Sequence, residues 1–413
     1  FVPWDLFSAG TAASVAGNYD FTPDRRMVIV TLVFIALFVL TRFFKKGPRF
    51  SWKIRLGSIV LVGLVLCTFV NALQQESFQT KHYLYPFLFT PAYMTKVNGM
   101  AVTFAMDLAY VAVERPAGYD ADEAKETLAK YETKTTVEDP ESVKRPNIIV
   151  IMDEAFSDLK VLGPLETNED YMPFMHRMQQ GEKNTVTGYV QTSVCGGNTA
   201  DSEFEFLTGN TMAFLPNGSI PYQQYIKSRT PSLAGYLKSL GYATYAQHPY
   251  QASGWNRDKV YPLLGFDNLD FMEDYRDVSY VRNYISDASD MEHMIETYEK
   301  NKASGKPAFI FNVTMQNHGG YTDTYMNLTN DIQSQYASEP LNQYLTLIHK
   351  TDQALENLID YFSKVDDRTI IVFFGDHQPN DTVASVVENG AQAETQKRYL
   401  VPYLVWSNYG SER

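Results

Sequence analysis

The stretch TIIVFFGDH, residues 369–377, decides the fold expected for most of this chain. A short β-branched and aromatic run that ends abruptly in Gly-Asp-His is typical of a buried strand with polar side chains at its carboxyl end. Similar runs occur beyond Pro146 and are separated by helical stretches: NIIVIM (147–152), YATYAQ (242–247), AFIFNVTM (308–315) and PYLVW (402–406). This alternation predicts an α/β domain over residues 146–413, with a mostly parallel sheet flanked by helices.

Metal-ligand and acid-base side chains follow four of these runs. They are Asp153 with Glu154, His248, Asn317 with His318, and Asp376 with His377. Because the carboxyl ends of parallel strands open onto one crevice, we expect these side chains to meet in space. One such residue alone is usually a helix cap or a surface residue, but four coincidences favour a shared site.

A metal ion is expected where Glu154, Asp376 and His377 meet. Oxygen and nitrogen ligands without a thiolate suit manganese, magnesium or zinc. The turn GGNTADSEF (196–204) offers a fourth ligand, since Thr199 lies near the start of an expected helix. Thr199 is either a plain N-cap or both a metal ligand and a nucleophile, because a metal lowers the pKa of a hydroxyl group.

Five segments together resemble a known family: MDEAF (152–156), GGNTADSEF (196–204), HPYQASGWNRD (248–258), NHGGY (317–321) and FFGDHQP (373–379). The chain resembles the lipoteichoic acid synthases and related phosphoglycerol transferases of the sulfatase and alkaline-phosphatase superfamily. The resemblance covers most of the chain. It implies transfer of glycerol phosphate from phosphatidylglycerol, with a covalent threonine intermediate.

The resemblance also assigns roles to individual residues. It implies that a manganese-type ion, with magnesium or zinc as alternatives, is held by Glu154, Thr199, Asp376 and His377, with Thr199 as the nucleophile. It places His318 near the scissile group and a glycerol-phosphate pocket at His248, Trp255 and Arg257. For Trp255, packing in the interior is an equal alternative. The implied acceptor is a polyglycerolphosphate chain on a glycolipid, a single primed unit, or a sugar of a wall polysaccharide.

Two apolar runs, 27–44 and 56–75, predict transmembrane helices within a membrane region of residues 1–80. The loop 42–55 between them carries six basic residues and no acid: Arg42, Lys45, Lys46, Arg49, Lys53 and Arg55. By the positive-inside rule this loop is cytoplasmic, so residues 76–413 are extracellular in a multi-pass protein of the cell membrane. Because related enzymes commonly have five such helices, we expect further ones upstream of Phe1.

Residues 81–145 are expected to connect the two regions. The apolar segment 83–113 predicts a helix that lies on the membrane surface or packs on the outer domain, and both arrangements are compatible. The stretch DADEAKETLAKYE (120–132) predicts a short exposed helix in an otherwise charged linker.

Charge and cysteine content exclude several classes of protein. The net charge of −13 argues against a nucleic-acid binder. The two cysteines, Cys67 and Cys195, exclude a disulfide scaffold. A formylglycine sulfatase would need a Cys/Ser-x-Pro-x-Arg context, whereas Gly196 and Gly197 follow Cys195. Phosphoethanolamine transfer to a polysaccharide or glycolipid, and a non-catalytic membrane sensor of the same fold, are the rival functions.

Overall fold

The protein is described here by a computed structural model, which covers residues 25–43, 50–85, 91–111, 118–131, 145–215, 219–388 and 395–410 together with Pro3 and Pro23. The chain divides into two compact units. One comprises residues 1–112 with 216–219, and the other comprises residues 113–215 with 220–413.

The described part of the N-terminal unit is helical. Its helices are α1 (Arg25–Phe43), α2 (Trp52–Leu73), α3 (Glu76–Lys81), α4 (Pro91–Asn98) and α5 (Met100–Asp107), followed by a 3-10 turn at Leu108–Tyr110. Helices α1 and α2 correspond to the two predicted spans and are long and apolar enough to cross a membrane. Of the predicted basic loop, Lys45, Lys46 and Arg49 lie outside the described residues.

The segment 83–113 forms short helices rather than one helix. Gln74, which follows α2, donates from Nε2 to the carbonyl oxygens of Ala105 and Met106 at 3.0 and 3.2 Å. Helix α5 therefore packs against the end of α2. Residues 86–90 and 112–117 of this region lie outside the described residues.

The second unit begins with α6 (Ala121–Tyr131), the exposed helix predicted for the charged linker. Its strands are β1 (Asn147–Asp153), β2 (Thr185–Gln191), β3 (Ala243–His248), β4 (Asn268–Phe271), β5 (Tyr280–Val281), β6 (Tyr284–Ile285), β7 (Ala308–Val313), β8 (Thr369–Gly375) and β9 (Leu400–Ser407). Its other α-helices are α7 (Pro173–Gln179), α8 (Thr199–Thr208), α9 (Pro221–Gln224), α10 (Leu233–Ser239), α11 (Arg257–Leu264), α12 (Asp287–Lys302), α13 (Glu339–Ser363) and α14 (Asp381–Val387). Short 3-10 turns lie at Leu159–Val161, Met212–Phe214, Gly254–Asn256, Met272–Asp274 and Thr395–Tyr399.

The main sheet has the strand order β2-β9-β8-β1-β7-β3-β4. Strands β8, β1, β7, β3 and β4 run parallel, whereas β9 is antiparallel to both β8 and β2. The prediction of a mostly parallel sheet is therefore confirmed. Strands β2 and β4 were not among the predicted strands. The short strands β5 and β6 form a separate antiparallel hairpin.

Helices cover both faces of the sheet because successive residues of its strands point in opposite directions. In β1, Ile149 and Ile151 belong to one apolar cluster, which contains buried residues of α7, α12, α13 and α14. The intervening Val150 and Met152 belong to the other cluster, with residues of α8, α9, α10 and α11. The near-continuous apolar strands are thus buried on both sides, as expected for a parallel sheet.

Candidate active site

The carboxyl ends of β1 and β8 lie side by side, because Asp153 pairs with Gly375 in register. The residues that follow each strand therefore meet, as the sequence predicts. Ligand atoms of Glu154, Asp376 and His377 all lie within 4.8 Å of one another, and all three side chains are buried.

The hydrogen bonds of this cluster leave two acceptor atoms facing each other. The Oδ1 atom of Asp376 accepts from the backbone N–H groups of Ala155 and His377, each at 2.7 Å. The Nδ1 atom of His377 donates to the carbonyl oxygen of Gln378 at 2.9 Å, which leaves a lone pair on Nε2. Asp376 Oδ2 and His377 Nε2 lie 3.2 Å apart and have no hydrogen-bond partner among the described residues. Two buried lone pairs in this arrangement fit a cation that binds both.

Glu154 completes the cluster, and its pKa is strongly shifted. Burial, together with the negative charge of Asp376, raises the pKa of Glu154 to about 8. The charges of His377 and Arg257 act in the opposite direction. Buried carboxylates at such short range need a positive charge between them to stay ionised, so the donor set fits a divalent metal ion.

Thr199 is the first residue of α8, and its side chain points to this cluster. Its Oγ1 donates to Glu154 Oε2 at 3.2 Å. The N-cap position is taken by Asn198, which adopts a left-handed conformation. Thr199 is therefore not the N-cap, and its hydroxyl group is available for another role.

The turn before Thr199 is held against the metal-ligand loop. Gly196 has a φ of +72°, and its N–H donates to the carbonyl oxygen of Gln378 at 2.9 Å. One turn along α8, Ser202 Oγ donates to the carbonyl oxygen of Asp376 at 2.7 Å. These two contacts fix the start of the helix relative to Asp376.

Asp153 is not one of the three clustered ligands, but its hydrogen bonds support the position of Glu154. Its Oδ1 accepts from Asn317 Nδ2 at 2.9 Å, and its Oδ2 accepts from Thr314 Oγ1 at 3.0 Å. Thr314 Oγ1 in turn accepts from the N–H of Glu154 at 3.1 Å. The predicted convergence of strand ends therefore places Asp153 and Asn317 in a layer that holds Glu154.

Arg257 and His248 form a second buried group near the first. Arg257 Nε and Nη2 donate to Glu203 Oε1 at 3.0 and 2.5 Å, and Nη1 donates to His248 Nε2 at 3.0 Å. His248 Nδ1 donates to the carbonyl oxygen of Val313 at 2.7 Å. Burial and the Arg257 charge lower the pKa of His248, so the imidazole is neutral and acts as an acceptor.

Two features of the Arg257 group could not be predicted from local sequence. Glu203 lies 54 positions from Arg257, and no strand-end pattern marks it. Trp255 adopts a left-handed conformation with a φ of +55° and packs against the apolar cluster between the sheet and α11. A bulky residue in this conformation is a local strain of the kind found at functional sites.

His318 lies on the loop after β7 and is exposed. Its Nδ1 lies 3.2 Å from the hydroxyl group of Tyr284. Arg282 donates from Nη2 to the carbonyl oxygens of Gln316 and His318 at 2.6 and 2.7 Å. Partial burial of the imidazole and the charge of Arg282 lower the pKa of His318. Arg282 and Tyr284 belong to the β5–β6 hairpin, and sequence analysis did not identify them.

Comparison with known proteins identifies the family. The sulfatase family model matches residues 146–413. A Rhizobium meliloti protein named for cyclic β-1,2-glucan modification is 30% identical over 92% of this chain and 60% of its own length. The lipoteichoic acid synthase-like protein YvgJ of Bacillus subtilis is 24% identical over 96% of this chain and 63% of its own length. The chain thus spans about 60% of the length of these relatives.

The fold is shared with a solved structure as well. The Streptococcus pyogenes phosphoglycerol transferase GacH, in complex with sn-glycerol-1-phosphate, superposes with a TM-score of 0.59 at 22% identity, over 73% of this chain and 79% of that chain. The resemblance inferred from the five sequence segments is therefore confirmed at the level of family and fold. The chain belongs to the sulfatase family.

Proposed function

We propose that this protein is a membrane-anchored phosphoglycerol transferase, which moves glycerol phosphate from phosphatidylglycerol to an acceptor through an ester on Thr199. The observation that carries the proposal is the hydrogen bond from Thr199 Oγ1 to Glu154, beside the facing lone pairs of Asp376 and His377. A hydroxyl group directed at a cation-binding cluster is the arrangement that an activated nucleophile needs. The names of the relatives support the substrate class.

The metal site is assigned to Glu154, Thr199, Asp376 and His377. We propose manganese as the ion, with magnesium or zinc as alternatives, because the donors are mainly oxygen atoms and one imidazole. Such an ion, when bound, lowers the pKa of a nearby hydroxyl group and neutralises charge on a phosphoryl group.

The protein residues carry out the transfer in two displacements. Thr199 Oγ forms a bond to phosphorus while the bond from phosphorus to the diacylglycerol oxygen breaks, and that oxygen keeps the electron pair. The proton lost by Thr199 is balanced by the proton that diacylglycerol gains, and we assign this transfer to His318. In the second step an acceptor hydroxyl group attacks phosphorus, and the bond from phosphorus to Thr199 Oγ breaks with its electron pair on Oγ. Neutral His318 takes the acceptor proton, which is returned to Thr199 Oγ to restore its hydroxyl group.

We assign Arg257 to bind the phosphate of the donor, and we assign His248 to orient the guanidinium group of Arg257. Glu203 holds Nε and one Nη2 proton of the guanidinium group, and His248 holds one Nη1 proton, so the second proton on Nη1 and on Nη2 is left to bind phosphoryl oxygens. The charge of Arg257 acts to lower the pKa of Glu154, and this effect supports the closeness of Arg257 to the metal ligands. Trp255 is assigned to the wall of this pocket.

The membrane arrangement follows from the charge pattern of the N-terminal region. We propose that α1 and α2 cross the membrane with residues 42–55 in the cytoplasm, and that the α/β unit faces the outside, where its lipid donor lies. Labelling in intact cells tests this arrangement. A single cysteine at Lys125, in a chain lacking Cys67 and Cys195, should react with an impermeant maleimide, whereas one at Lys46 should not.

A glycan is the second candidate acceptor beside a polyglycerolphosphate chain. The relative named for cyclic β-1,2-glucan modification aligns with 92% of this chain. A sugar hydroxyl group and a glycerol hydroxyl group are equivalent nucleophiles in the second displacement. Phosphoethanolamine transfer remains the rival donor chemistry.

A product analysis separates these functions. The purified full-length protein in lipid nanodiscs is given isotopically labelled phosphatidylglycerol or phosphatidylethanolamine, with cyclic β-1,2-glucan or a glycerol-phosphate oligomer as acceptor. We expect diacylglycerol release and a glycerol-phosphate mass on one acceptor. Transfer from phosphatidylethanolamine alone would assign the rival donor, and no product from any pair would refute the transferase.

A further inference from the structure

We propose that Tyr250 and Tyr284 form a stacking platform for a sugar ring of the acceptor. This inference rests on the proposed function, since it names the acceptor class of the same site. It places a carbohydrate, rather than a polyglycerolphosphate chain, against these two rings.

Four rings form a continuous arc beside the candidate active site. The ring centroids of His248 and Tyr250 are 6.2 Å apart, those of Tyr250 and Tyr284 are 6.1 Å apart, and those of Tyr284 and His318 are 5.6 Å apart. One end of the arc is the imidazole bonded to Arg257, and the other end is the exposed imidazole of His318. The arc therefore leads from the neighbour of Arg257, which is assigned to bind the phosphate, to His318, which is assigned to accept the proton.

The two tyrosines in the middle of the arc are half-buried, so part of each ring is accessible. Their planes are inclined by 54°, which makes an open V rather than a closed stack. A partly open aromatic pair beside a polar site is the usual composition of a small-molecule pocket.

Tyr284 is held in place from two sides. Its hydroxyl group lies 3.2 Å from His318 Nδ1, and the guanidinium carbon of Arg282 lies 5.3 Å from its ring centroid. Arg282 adopts a φ of +56° at the turn of the β5–β6 hairpin, and its side chain is buried. The strained turn and the two carbonyl contacts of Arg282 fix the hairpin to the loop that carries His318.

Tyr250 is fixed by its backbone. Its N–H donates to the carbonyl oxygen of His248 at 2.7 Å, and its carbonyl oxygen accepts from the N–H of Met272 at 3.1 Å. These bonds fix the main chain of Tyr250 beside the segment that also supplies Arg257. Because a tyrosine side chain has only two torsion angles, its ring binds a ligand with little loss of side-chain entropy.

The chemistry of the arc suits a sugar better than a polyanion. A pyranose ring presents an apolar C–H face that packs on an aromatic ring, while its hydroxyl groups stay free for hydrogen bonds. A polyglycerolphosphate chain has no such face. A sugar seated on Tyr284 would present a hydroxyl group beside His318, which accepts the proton in the second displacement.

The test compares two acceptors and four variants. Transfer from phosphatidylglycerol is measured with cyclic β-1,2-glucan and with a glycerol-phosphate oligomer, using the full-length protein in nanodiscs. The variants are Tyr250→Ala, Tyr250→Leu, Tyr250→Phe and the exposed surface control Tyr236→Ala. Tyr250→Leu keeps apolar volume without a flat ring, and Tyr250→Phe keeps the ring. Equilibrium binding of the glucan without donor is measured by calorimetry on the same samples.

We expect Tyr250→Ala and Tyr250→Leu to weaken glucan binding and to raise the KM for glucan about tenfold, while Tyr250→Phe and Tyr236→Ala stay near the wild type. The ratio of transfer to hydrolysis should fall for the glucan and not for the oligomer. Equal glucan affinity in the wild type and Tyr250→Leu, or no glucan binding by the wild type, would overturn the platform. If glucan binding depends on Tyr250 but no acceptor receives glycerol phosphate, the platform stands and the proposed function fails.

Discussion

His377 Nε2 lies 3.2 Å from Asp376 Oδ2, and both atoms carry a lone pair directed into the same buried space. Gln378 fixes the tautomer of His377, and two backbone N–H groups occupy the other oxygen of Asp376. These two facing lone pairs favour the binding of a cation that contacts both atoms.

The first prediction concerns that cation. Asp376→Asn keeps the shape of the side chain but removes its charge, so bound manganese should fall at least tenfold and transfer should be lost. Metal content is measured by plasma mass spectrometry after dialysis against manganese, and activity after chelation and re-addition of metal. The matched control is Asp360→Asn on the exposed face of α13, which should keep both. Full activity of the chelated protein would contradict the assignment.

The second prediction concerns phosphate binding by Arg257. Arg257→Lys keeps the charge but cannot bond Glu203 and His248 together and still present two protons to a phosphate. We expect kcat/KM for phosphatidylglycerol to fall about 100-fold with metal content unchanged. Arg229→Lys, at an exposed position, is the control. An unaltered kcat/KM in Arg257→Lys would place this residue outside the site.

Part of this site could be predicted from sequence because its signals are local. Asp376 and His377 directly follow an apolar run, and Glu154 follows another. Only the assumption of a parallel sheet is needed to bring them together. The left-handed turn before Thr199 is also marked locally, by Gly196 and its neighbour.

Other parts could not be predicted because their partners are distant in the chain. Arg257 can donate a hydrogen bond to Glu203 only because α8 and α11 pack on the same face of the sheet. Strand β2 was missed because Gly188 interrupts its β-branched pattern. A Cβ atom at Gly188 would lie 2.9 Å from the ring of Tyr403 on the neighbouring strand, so the glycine makes room for that ring.

The third prediction uses the charge of Arg282 to test the role of His318. Because this charge lowers the pKa of His318, Arg282→Gln should raise that pKa and move the acidic limb of the kcat/KM profile to higher pH. Arg282→Lys keeps a positive charge, so its acidic limb should stay close to that of the wild type even if its rate falls. The measurement is a pH–rate profile with the glucan acceptor. An acidic limb at the same pH in the wild type and both variants would show that His318 does not take part in the proton transfer.

The fourth prediction concerns stability and lies away from the catalytic cluster. Burial lowers the pKa of His176, but hydrogen bonds and charges from Asp158 and Asp170 outweigh it and raise the pKa above 6.5. Burial raises the pKa of Asp158, yet His176 and two tyrosine hydroxyl groups hold it at about 2. Asp158 is therefore ionised above about pH 4, and His176 stays protonated to a higher pH in the folded protein than in the unfolded chain.

The sign of the pH effect follows from the raised pKa. The stabilisation by His176 is complete below pH 6.5 and is lost as the pH rises through the higher folded-state value. His176→Gln should thus cost on the order of 1 kcal/mol at pH 5.5 and less at pH 9, which is read from thermal unfolding of the full chain at both values. His349→Gln, at a residue bonded to Gln353, serves as the histidine control. An equal loss at both pH values for His176→Gln would contradict the ion-pair explanation.

The last prediction concerns the covalent step, which distinguishes a threonine nucleophile from attack by water. Asn198 already occupies the N-cap, so substitutions of Thr199 test its chemistry rather than its capping. Thr199→Ala and Thr199→Asn should abolish transfer, whereas Thr199→Ser keeps a hydroxyl group and should retain part of it. In the wild type, brief exposure to phosphatidylglycerol without acceptor should add a glycerol-phosphate mass to the peptide that contains residue 199. That mass should disappear when glucan or oligomer is added and should be absent in Thr199→Ala. If Thr199→Ala released diacylglycerol at the wild-type rate, water rather than Thr199 would be the attacking group, and the ester intermediate would be wrong even with the metal site intact.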